Sequence, residues 1–469
     1  MSERYDLVAV GGGTGGLVTA AGAAYLGLRS AIIEKAALGG DCLWTGCVPS
    51  KALIASARRA HGIRTADRLG LPGTPPEVDF GAVMARMRDA RAVVAHHDDP
   101  ERFRKMGVDV HFGAARFIDA GAVEVEGVGR IHSKRFVIAT GAVPTVPPIP
   151  GLAESGYWTH ETVFDQSVLP PRVVILGGGP IGMEFAQVFS RLGSRVTVLE
   201  MGDRILPKED PDVAEYLGHL LTEEGVDLRT GSRAVSVAQG PGGVTVEVAE
   251  GEAVVADRIF VATGRRPNTD GLDLDAAGVA TDNGAVRVDD TLRTTARRIW
   301  AVGDVTGGLQ FTHVAEHMAR AALQNAISPL SRKVRYDTVP WVTYTDPEVA
   351  HVGLAEDEAS AGGASTYRYD FADLDRAIVD ASTSGFVKIS ADGRGKILGA
   401  TIVAQGAGNL IQPLVLAMKH GLGLSQVAGT IFPYPTMGEG VKRAANEYMR
   451  GRLDTTSGRL LKKVIQWMK

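Results

Sequence analysis

The two cysteines of the 469-residue chain, Cys42 and Cys47, lie five positions apart. Two cysteines placed at random in a chain of this length would show that separation about once in 200 times. Paired cysteines in a chain without a secretory signal usually bind a metal or carry out redox chemistry. A zinc site would need further ligands, and no histidine lies near this segment. The pair therefore indicates a redox-active dithiol, with metal binding as the alternative.

The residues around the cysteines predict how the pair is held. In an ideal helix, Cα atoms five residues apart are roughly 8 to 9 Å from each other, whereas a disulfide needs less than about 7 Å. We therefore expect an irregular segment between the cysteines, at Gly46. Because Pro49 is tolerated only in a first helical turn, a helix should begin near Cys47. The positive end of that helix, together with Lys51, would stabilise a thiolate at Cys47.

Two segments with the spacing G-x-G-x-x-G each join a short apolar strand to a helix-like run. The chain contains 58 glycines, so about one match to this pattern is expected by chance. In both segments, however, an acidic residue at the end of a second strand follows the third glycine by 18 positions. The first set is Gly11, Gly13, Gly16 and Glu34, and the second set is Gly177, Gly179, Gly182 and Glu200.

These residue types suit a dinucleotide. The first glycine lets the strand turn, the second admits a pyrophosphate against bare backbone, and the third lets the helix lie close to the strand. The helix amino terminus offers unpaired amides to the phosphates, and the acidic residue accepts hydrogen bonds from a ribose. Two such units predict two bound dinucleotides. Glycine-rich turns without a ligand are the alternative.

Further segments predict the order of the domains. FVIATGAVP at 136–144 and IFVATGRRP at 259–267 are near-copies, each a strand that breaks at an Ala-Thr-Gly turn. RIWAVGDV at 298–305 is another strand, and it leads to Asp304 and a helix around His313. From about Val339 the pattern is that of an antiparallel sheet followed by helices. We therefore expect two related α/β domains and a third domain that mixes helices with an antiparallel sheet.

The segment GGDCLWTGCVPSKAL, both glycine patterns, AVGD and FPYPTMGEGVKRAA together resemble the pyridine nucleotide-disulfide oxidoreductases. This family includes dihydrolipoamide dehydrogenase, glutathione reductase and mercuric reductase, and the resemblance covers essentially the whole chain. It implies a homodimer with an active site shared between subunits, in which NAD(P)H, FAD and the cysteine pair pass electrons to a small acceptor. It also implies an FAD domain at 1–150, an NAD(P)H domain at 151–273, completion of the FAD domain at 274–338 and an α+β dimerisation domain at 339–469.

The resemblance assigns roles to individual residues. Cys47 would face the flavin as a thiolate, Cys42 would attack the substrate, and Lys51 would lie near the flavin with Glu184 as its ion partner. A surface lysine and an ordinary helix glutamate are the alternative. The expected FAD-binding positions are Gly11, Gly13, Gly16, Glu34, Lys51, Gly113, Thr140, Gly141, Asp304, Gln310, Phe311, Thr312 and His313. The expected NAD(P)H-binding positions are Gly177, Gly179, Ile181, Gly182, Glu200 and Gly264.

Two features bear on the substrates, and the second departs from the family pattern. Glu200 would repel a 2′-phosphate, so NADH is expected, although Arg204 keeps NADPH open. Tyr434, followed by Glu439, replaces the histidine that serves lipoamide dehydrogenases as acid-base catalyst. A phenol titrates near 10 and an imidazole near 6.5, so a proton acceptor matched to neutral pH is missing. This stretch resembles mercuric reductase, and the acceptor is expected to be a small disulfide, a metal ion or a quinone. A lipoamide dehydrogenase and a redox sensor are the alternatives.

Charge and hydropathy limit the partners. The net charge of −4 argues against nucleic acid. No amino-terminal signal and no uncharged run of roughly 18 to 20 residues is present, so we expect a cytoplasmic protein and no membrane partner. The end of the chain is a basic amphipathic helix, which we expect to pack on the dimer, with membrane or partner docking as the alternative. Its apolar residues are Leu460, Leu461, Val464 and Ile465, and its basic residues are Arg459, Lys462 and Lys463.

Overall fold

A computed structural model gives the structure of the chain and describes residues 4–453 and 456–468. Its first large sheet is parallel and five-stranded. In spatial order the strands are Ile299–Ala301, Phe136–Ile138, Leu7–Val10, Ser30–Glu34 and Val108–Phe112. Their side chains are largely buried on both faces, as is typical of parallel strands covered by helices. Strands from both sides of residues 151–273 therefore share one sheet.

A second parallel sheet repeats this design. Its strands, in spatial order, are Asp227–Arg229, Arg195–Leu199, Arg172–Leu176 and Arg258–Val261. In both sheets a glycine turn leads from an interior strand into a helix, Thr14–Tyr25 in the first and Pro180–Leu192 in the second. The prediction of two Rossmann-like units is confirmed.

The first and third glycines of each turn explain why the pattern needs glycine. Gly11 has a φ of +111° and Gly177 a φ of +110°, values that side chains disfavour. A Cβ atom on Gly16 would lie 1.8 Å from the carbonyl oxygen of Gly11, and one on Gly182 would lie 2.1 Å from that of Gly177. The third glycine of each set therefore lets the helix lie directly on the turn that precedes it.

The third large sheet is antiparallel. In spatial order its strands are Pro340–Thr343, Glu348–Gly353, Ile397–Ala404, Phe386–Ala391 and Ser365–Asp370. The helix Glu439–Arg452 packs against the last two of these strands and buries Val441, Ala444 and Tyr448. The predicted α+β domain is present, so the mixed α/β fold class is confirmed.

Smaller elements complete the described fold. The remaining strands are Ala115–Asp119, Ala122–Val125 and Gly129–His132 in one sheet, Ala234–Gly240, Gly243–Val248 and Val254–Ala256 in another, and the pairs Ala142–Pro144 with Arg265–Pro267 and Thr281–Asp282 with Ala285–Val286. The remaining α-helices are Gly40–Trp44, Cys47–Arg64, Phe80–Ala95, Pro100–Lys105, Pro211–Glu223, Thr312–Ile327, Glu356–Ala361, Asp375–Val379, Ala407–Leu410, Gln412–Lys419, Leu424–Gly429 and Thr456–Trp467. Among the described helices, none is both long and apolar enough to cross a membrane.

Apolar and ionic contacts join these layers. Leu53 and Met84, from helices beside the first sheet, belong to the same buried cluster as Phe185 and Phe189 of the second unit. The guanidinium of Arg191, whose side chain is 4% exposed, lies 2.6 Å from Glu224 and 2.7 Å from Asp346. Because a buried cation is costly unless it is paired, this network ties Pro180–Leu192 to the segment before Glu348–Gly353.

Candidate active site

A cavity of about 2110 Å³ lies between the two parallel sheets and the strand Pro340–Thr343. Its wall contains both glycine turns and both cysteines. Ligand sites of α/β sheets form where helices begin at the carboxyl ends of the strands, and both units turn that edge toward the same cavity. Two dinucleotides bound at the two turns would thus approach each other near the cysteines.

The cysteine segment is a helix, a break and a second helix. Cys42 lies in the short helix Gly40–Trp44, and the helix Cys47–Arg64 begins at Cys47 as predicted. The irregularity is confined to Thr45 and Gly46. A Cβ atom on Gly46 would lie 2.8 Å from the carbonyl oxygen of Asp41, so glycine lets the chain fold back tightly here. Both cysteines are free thiols, and Cys47 is the more exposed of the two.

The two thiols have opposite acidities. A hydrogen bond from Cys42 is the main cause that lowers the pKa of Cys47 to about 6, and Thr312 and Lys51 add to the effect against the opposing effect of burial. The Oγ1 atom of Thr312 lies 3.5 Å from the Cys47 sulfur. The same hydrogen bond, with burial, raises the pKa of Cys42. At neutral pH, Cys47 is therefore a thiolate and Cys42 a thiol, the arrangement that the assigned roles require.

Lys51 and Glu184 form the predicted ion pair. The Nζ atom of Lys51 lies 2.9 Å from Oε2 of Glu184, which is buried. The backbone N–H of Tyr344 donates to Oε1 of Glu184 at 2.8 Å, and the ammonium of Lys51 lies 4.4 Å from the centre of the Tyr344 ring. Burial would lower the pKa of Lys51, but Glu184 offsets that cost and raises it. A fixed positive charge therefore lines the cavity beside Cys47.

The first glycine turn fits a dinucleotide pyrophosphate. A Cβ atom on Gly40 would lie 2.7 Å from the Cα atom of Gly13, so side chains here would close the space between two backbone segments. Glu34 accepts a hydrogen bond of 2.6 Å from the N–H of Gly12 and lines the cavity, where a ribose could reach it. The amino terminus of Thr14–Tyr25 begins at the same point. These features fit the phosphate and ribose groups of FAD.

The other predicted cofactor-binding positions also line the cavity, with two exceptions. The lining positions are Gly11, Gly113, Thr140, Gly141, Asp304, Gln310, Phe311, Thr312, His313, Gly177, Gly179, Ile181, Glu200 and Gly264. Gly16 and Gly182 do not line it, because each packs its helix against the preceding turn. Their membership of the cofactor-binding set stays a prediction, in which they act by letting each helix lie on its turn.

The second turn places Glu200 as the first turn places Glu34. Its two carboxylate oxygens accept hydrogen bonds from the N–H groups of Gly178 at 2.5 Å and Gly202 at 2.6 Å. Arg204 instead donates to the carbonyl oxygen of Pro207 at 3.2 Å. A carboxylate rather than a guanidinium is thus fixed at the expected ribose position.

The His313 side chain hydrogen-bonds to the backbone. Its Nε2–H donates to the carbonyl oxygen of Pro340 at 2.7 Å, and its ring stacks on Phe311 with centroids 5.4 Å apart. Phe311 also stacks on Trp341, whose indole N–H donates to the buried Glu209 at 2.6 Å. Burial raises the pKa of Glu209 to about 7. This aromatic wall fits the flat ring of FAD, since residues 310–313 are expected FAD-binding positions, and it assigns His313 a structural contact.

Arg265 and His160 are cavity residues that the sequence analysis missed. Nη1 of Arg265 donates to Asp304 at 2.6 Å, and its Nη2 donates to Asp41, so one guanidinium joins the expected FAD-binding aspartate to the cysteine segment. His160 is buried with an unpartnered Nε2, and burial, followed by Arg265, lowers its pKa to about 4. The Arg-Arg-Pro after the second Ala-Thr-Gly turn was a signal for Arg265, whereas His160 had none.

Tyr434 and Glu439 lie away from the cysteines of their own chain. The Tyr434 side chain is 69% exposed, and its hydroxyl donates to Asp375 at 3.2 Å. Glu439 is buried at the start of Glu439–Arg452, and neither residue lines the cavity. Within one chain, these two residues therefore cannot act on the thiols.

Two nucleotide-binding turns and an asymmetric dithiol around one cavity define a flavin- and nicotinamide-dependent dithiol oxidoreductase. The sequence comparison agrees: residues 5–319 match the family described as pyridine nucleotide-disulphide oxidoreductase, and residues 339–445 match its dimerisation domain. The chain belongs to the pyridine nucleotide-disulphide oxidoreductase family. It is an FAD-containing enzyme that uses NAD(P)H, and its dimerisation domain supports a homodimer.

Relatives with different names share this architecture. The chain is 36% identical over 450 residues to mercuric reductase of Lysinibacillus sphaericus, covering 94% of this chain and 82% of that protein. It is 34% identical over 470 residues to dihydrolipoyl dehydrogenase of Bacillus subtilis (strain 168), covering 95% and 98%. Among solved structures, the Cu(II) complex of the HOCl-induced flavoprotein disulfide reductase RclA from Escherichia coli has a TM-score of 0.86 and 31% identity, covering 95% of this chain and 99% of that one.

Proposed function

We propose that this enzyme uses NADH to reduce a small acceptor that reaches Cys42 directly, and that a thiophilic metal ion is its best-matched acceptor. The observation that carries the proposal is the thiolate–thiol pair in the wall of the cavity, combined with the tyrosine in place of a basic histidine. A metal ion bound by two sulfurs needs thiolates but no base to deprotonate a thiol substrate. The names of relatives, mercuric reductase and a Cu(II)-complexed reductase, support the same choice.

The residues of the cavity have separate tasks in this proposal. Bound FAD would supply two-electron exchange between the nicotinamide and the dithiol. Lys51, fixed by Glu184, holds a positive charge beside Cys47 and keeps its sulfur anionic. Cys42 supplies the second sulfur and releases its proton as the metal ion binds. For each Hg²⁺ reduced to Hg⁰, or for every two Cu²⁺ reduced to Cu⁺, one NADH gives two electrons and leaves NAD⁺ and a proton.

Steady-state assays test the acceptor. NADH oxidation should be measured with Hg(II) in excess thiol, with Cu(II) without added thiol because thiols reduce Cu(II) directly, and with small disulfides and quinones. We expect turnover with Hg(II) at a low rate, because the chain has no further cysteines to relay the ion. Cys42→Ser should abolish metal-dependent turnover. Robust turnover with disulfides or quinones but none with metal ions would refute the choice of acceptor.

We also propose that Tyr434 and Glu439 complete the site of the partner subunit, since both lie far from their own thiols. Mixing Cys42→Ser subunits with Tyr434→Phe subunits tests this, because heterodimers contain one intact and one doubly altered site. If both parents are inactive, recovery of activity after subunit exchange supports the shared site. Demonstrated exchange without recovery contradicts it.

A lipoamide dehydrogenase is the second candidate, favoured by the match to nearly the full length of the Bacillus subtilis relative. Tyr434 argues against it because a phenol is a poor base at neutral pH. Dihydrolipoamide-dependent reduction of NAD⁺ by the purified protein would decide for it. If activity is poor, Tyr434→His beside Glu439 should raise it.

We further propose that the domain boundaries follow the resemblance, at 1–150, 151–273, 274–338 and 339–469. The segment 151–273 contains the second parallel sheet, and Ile299–Ala301 completes the first.

A further inference from the structure

The helix Thr456–Trp467 follows the last helix that packs on the antiparallel sheet, and it lies beyond the residues matched by the dimerisation domain. Leu460, Val464 and Trp467 are spaced at i, i+4 and i+7, so they share one helix face. Their side chains are 63%, 44% and 87% exposed. In this chain, a continuous apolar stripe therefore faces solvent.

Ile465, 44% exposed, and Met468, 68% exposed, widen this stripe. Leu461 has the same spacing, but its side chain lies outside the described residues. A single exposed apolar residue needs no explanation, whereas a contiguous stripe indicates a contact surface.

The rest of the helix circumference is cationic and meets the apolar stripe at its edges. Arg459, Lys462 and Lys463 lie on it, and residues 450–469 contain six lysines or arginines against one aspartate. The whole chain has a net charge of −4, so positive charge is concentrated at this end of a protein that is otherwise acidic. An anionic surface would attract this segment and repel the remainder of the molecule.

We propose that Thr456–Trp467 binds the surface of an anionic lipid bilayer. A helix with a cationic face, an apolar face and a tryptophan near its end has the composition of helices that lie in the membrane interface. Its 12 residues span about 18 Å, too short to cross the roughly 30 Å hydrocarbon layer. The helix would therefore lie parallel to the membrane, with Leu460 and Val464 in the acyl region and the basic side chains among the phosphates.

A second copy of the chain is the competing occupant of this face. Protein interfaces are depleted in lysine, whereas the exposed Lys463 lies at the edge of the apolar stripe. Lipid phosphates can pair with a lysine at this edge without a fixed geometry. The charge distribution therefore favours the bilayer over a dimer contact.

Vesicle co-sedimentation of the FAD-bound, full-length protein tests the proposal. Vesicles of phosphatidylcholine with phosphatidylglycerol should sediment the protein, and pure phosphatidylcholine vesicles should do so much less. Arg459→Gln with Lys463→Gln should weaken binding roughly 25-fold, from about fivefold per basic residue. Leu460→Ser with Val464→Ser should also reduce it strongly. High salt should release the protein from vesicles.

A matched control comes from the exposed loop that contains Leu330 and Lys333, whose side chains are 75% and 76% exposed. Leu330→Ser with Lys333→Gln should leave vesicle binding unchanged. Light scattering of every variant should still report a dimer. Failure of the parent protein to bind anionic vesicles would overturn the proposal, and so would a Leu460→Ser, Val464→Ser variant that becomes monomeric, since the stripe would then be a subunit contact.

Discussion

The hydrogen bond between the two thiols can be tested by comparing Cys42→Ala with Cys42→Ser. The chain has two cysteines, so each variant retains only the Cys47 thiol. A serine hydroxyl can still donate to the Cys47 sulfur, whereas alanine cannot. The difference between the variants therefore isolates the hydrogen bond from the loss of the second sulfur.

The expected magnitude follows from the energy of a hydrogen bond to a charged group. Such a bond contributes about 1.5 to 3 kcal/mol, and one pKa unit corresponds to about 1.36 kcal/mol. Cys42 is the main cause that lowers the pKa of Cys47 to about 6. In Cys42→Ala the pKa of Cys47 should therefore rise by roughly one to two units, and in Cys42→Ser it should remain near 6.

The assay is the rate of iodoacetamide alkylation as a function of pH. The thiolate reacts and the thiol does not, so the rate should increase as pH rises through the pKa of Cys47. The double variant Thr312→Val, Cys42→Ser should shift the midpoint upward, but by less than Cys42→Ala does. Equal midpoints for Cys42→Ala and Cys42→Ser would refute the hydrogen bond as the source of acidity.

Three further outcomes are expected. Anaerobic two-electron reduction of the parent protein should produce a long-wavelength absorbance between thiolate and flavin. In Cys42→Ser the same absorbance should be present before any reduction, because Cys47 is then a free thiolate beside oxidised flavin, and in Cys47→Ser it should be absent; its presence in Cys47→Ser would reverse the two roles. NADH should have a higher kcat/KM than NADPH because Glu200 repels a 2′-phosphate, and the opposite ratio would contradict this assignment. Arg191→Met should lower the free energy of unfolding in urea by about 3 to 5 kcal/mol. Arg320→Met, at an exposed ion pair, should change it by less than about 1 kcal/mol. Similar losses in the two variants would show that the buried network contributes no more to stability than an exposed pair.

The two glycine units and the start of the cysteine helix could be predicted because short-range conformational constraints determine them. Turn geometry, phosphate access and helix packing each require a residue type at a fixed spacing, so Gly11 and Gly177 could be identified without the fold. Cys47 at a helix start followed from the position of Pro49. These features depend on residues close together in the chain.

The missed features depend on contacts between distant parts of the chain. Arg265 reaches Asp41 and Asp304 only because two strands bring it to the cavity. His160 resembles any isolated histidine until its burial is known. Local spacing also does not separate a glycine that contacts a ligand from one such as Gly16 that packs a helix, because both belong to one pattern.

The two-stranded ribbon Ala142–Pro144 with Arg265–Pro267 has a consequence for the origin of this architecture. The backbone leaves the first unit and returns to it at hydrogen-bonded neighbours, Pro144 being opposite Arg265. A chain without residues 145–264 would need only a hairpin turn at this point. An ancestor could therefore have acquired them without a change in the path of the first unit. Met84 and Phe185 share one apolar cluster, however. Removing residues 145–264 would therefore expose apolar surface on the first unit. The path of the chain is thus consistent with an inserted unit, whereas the shared apolar cluster makes the two units depend on each other for burial.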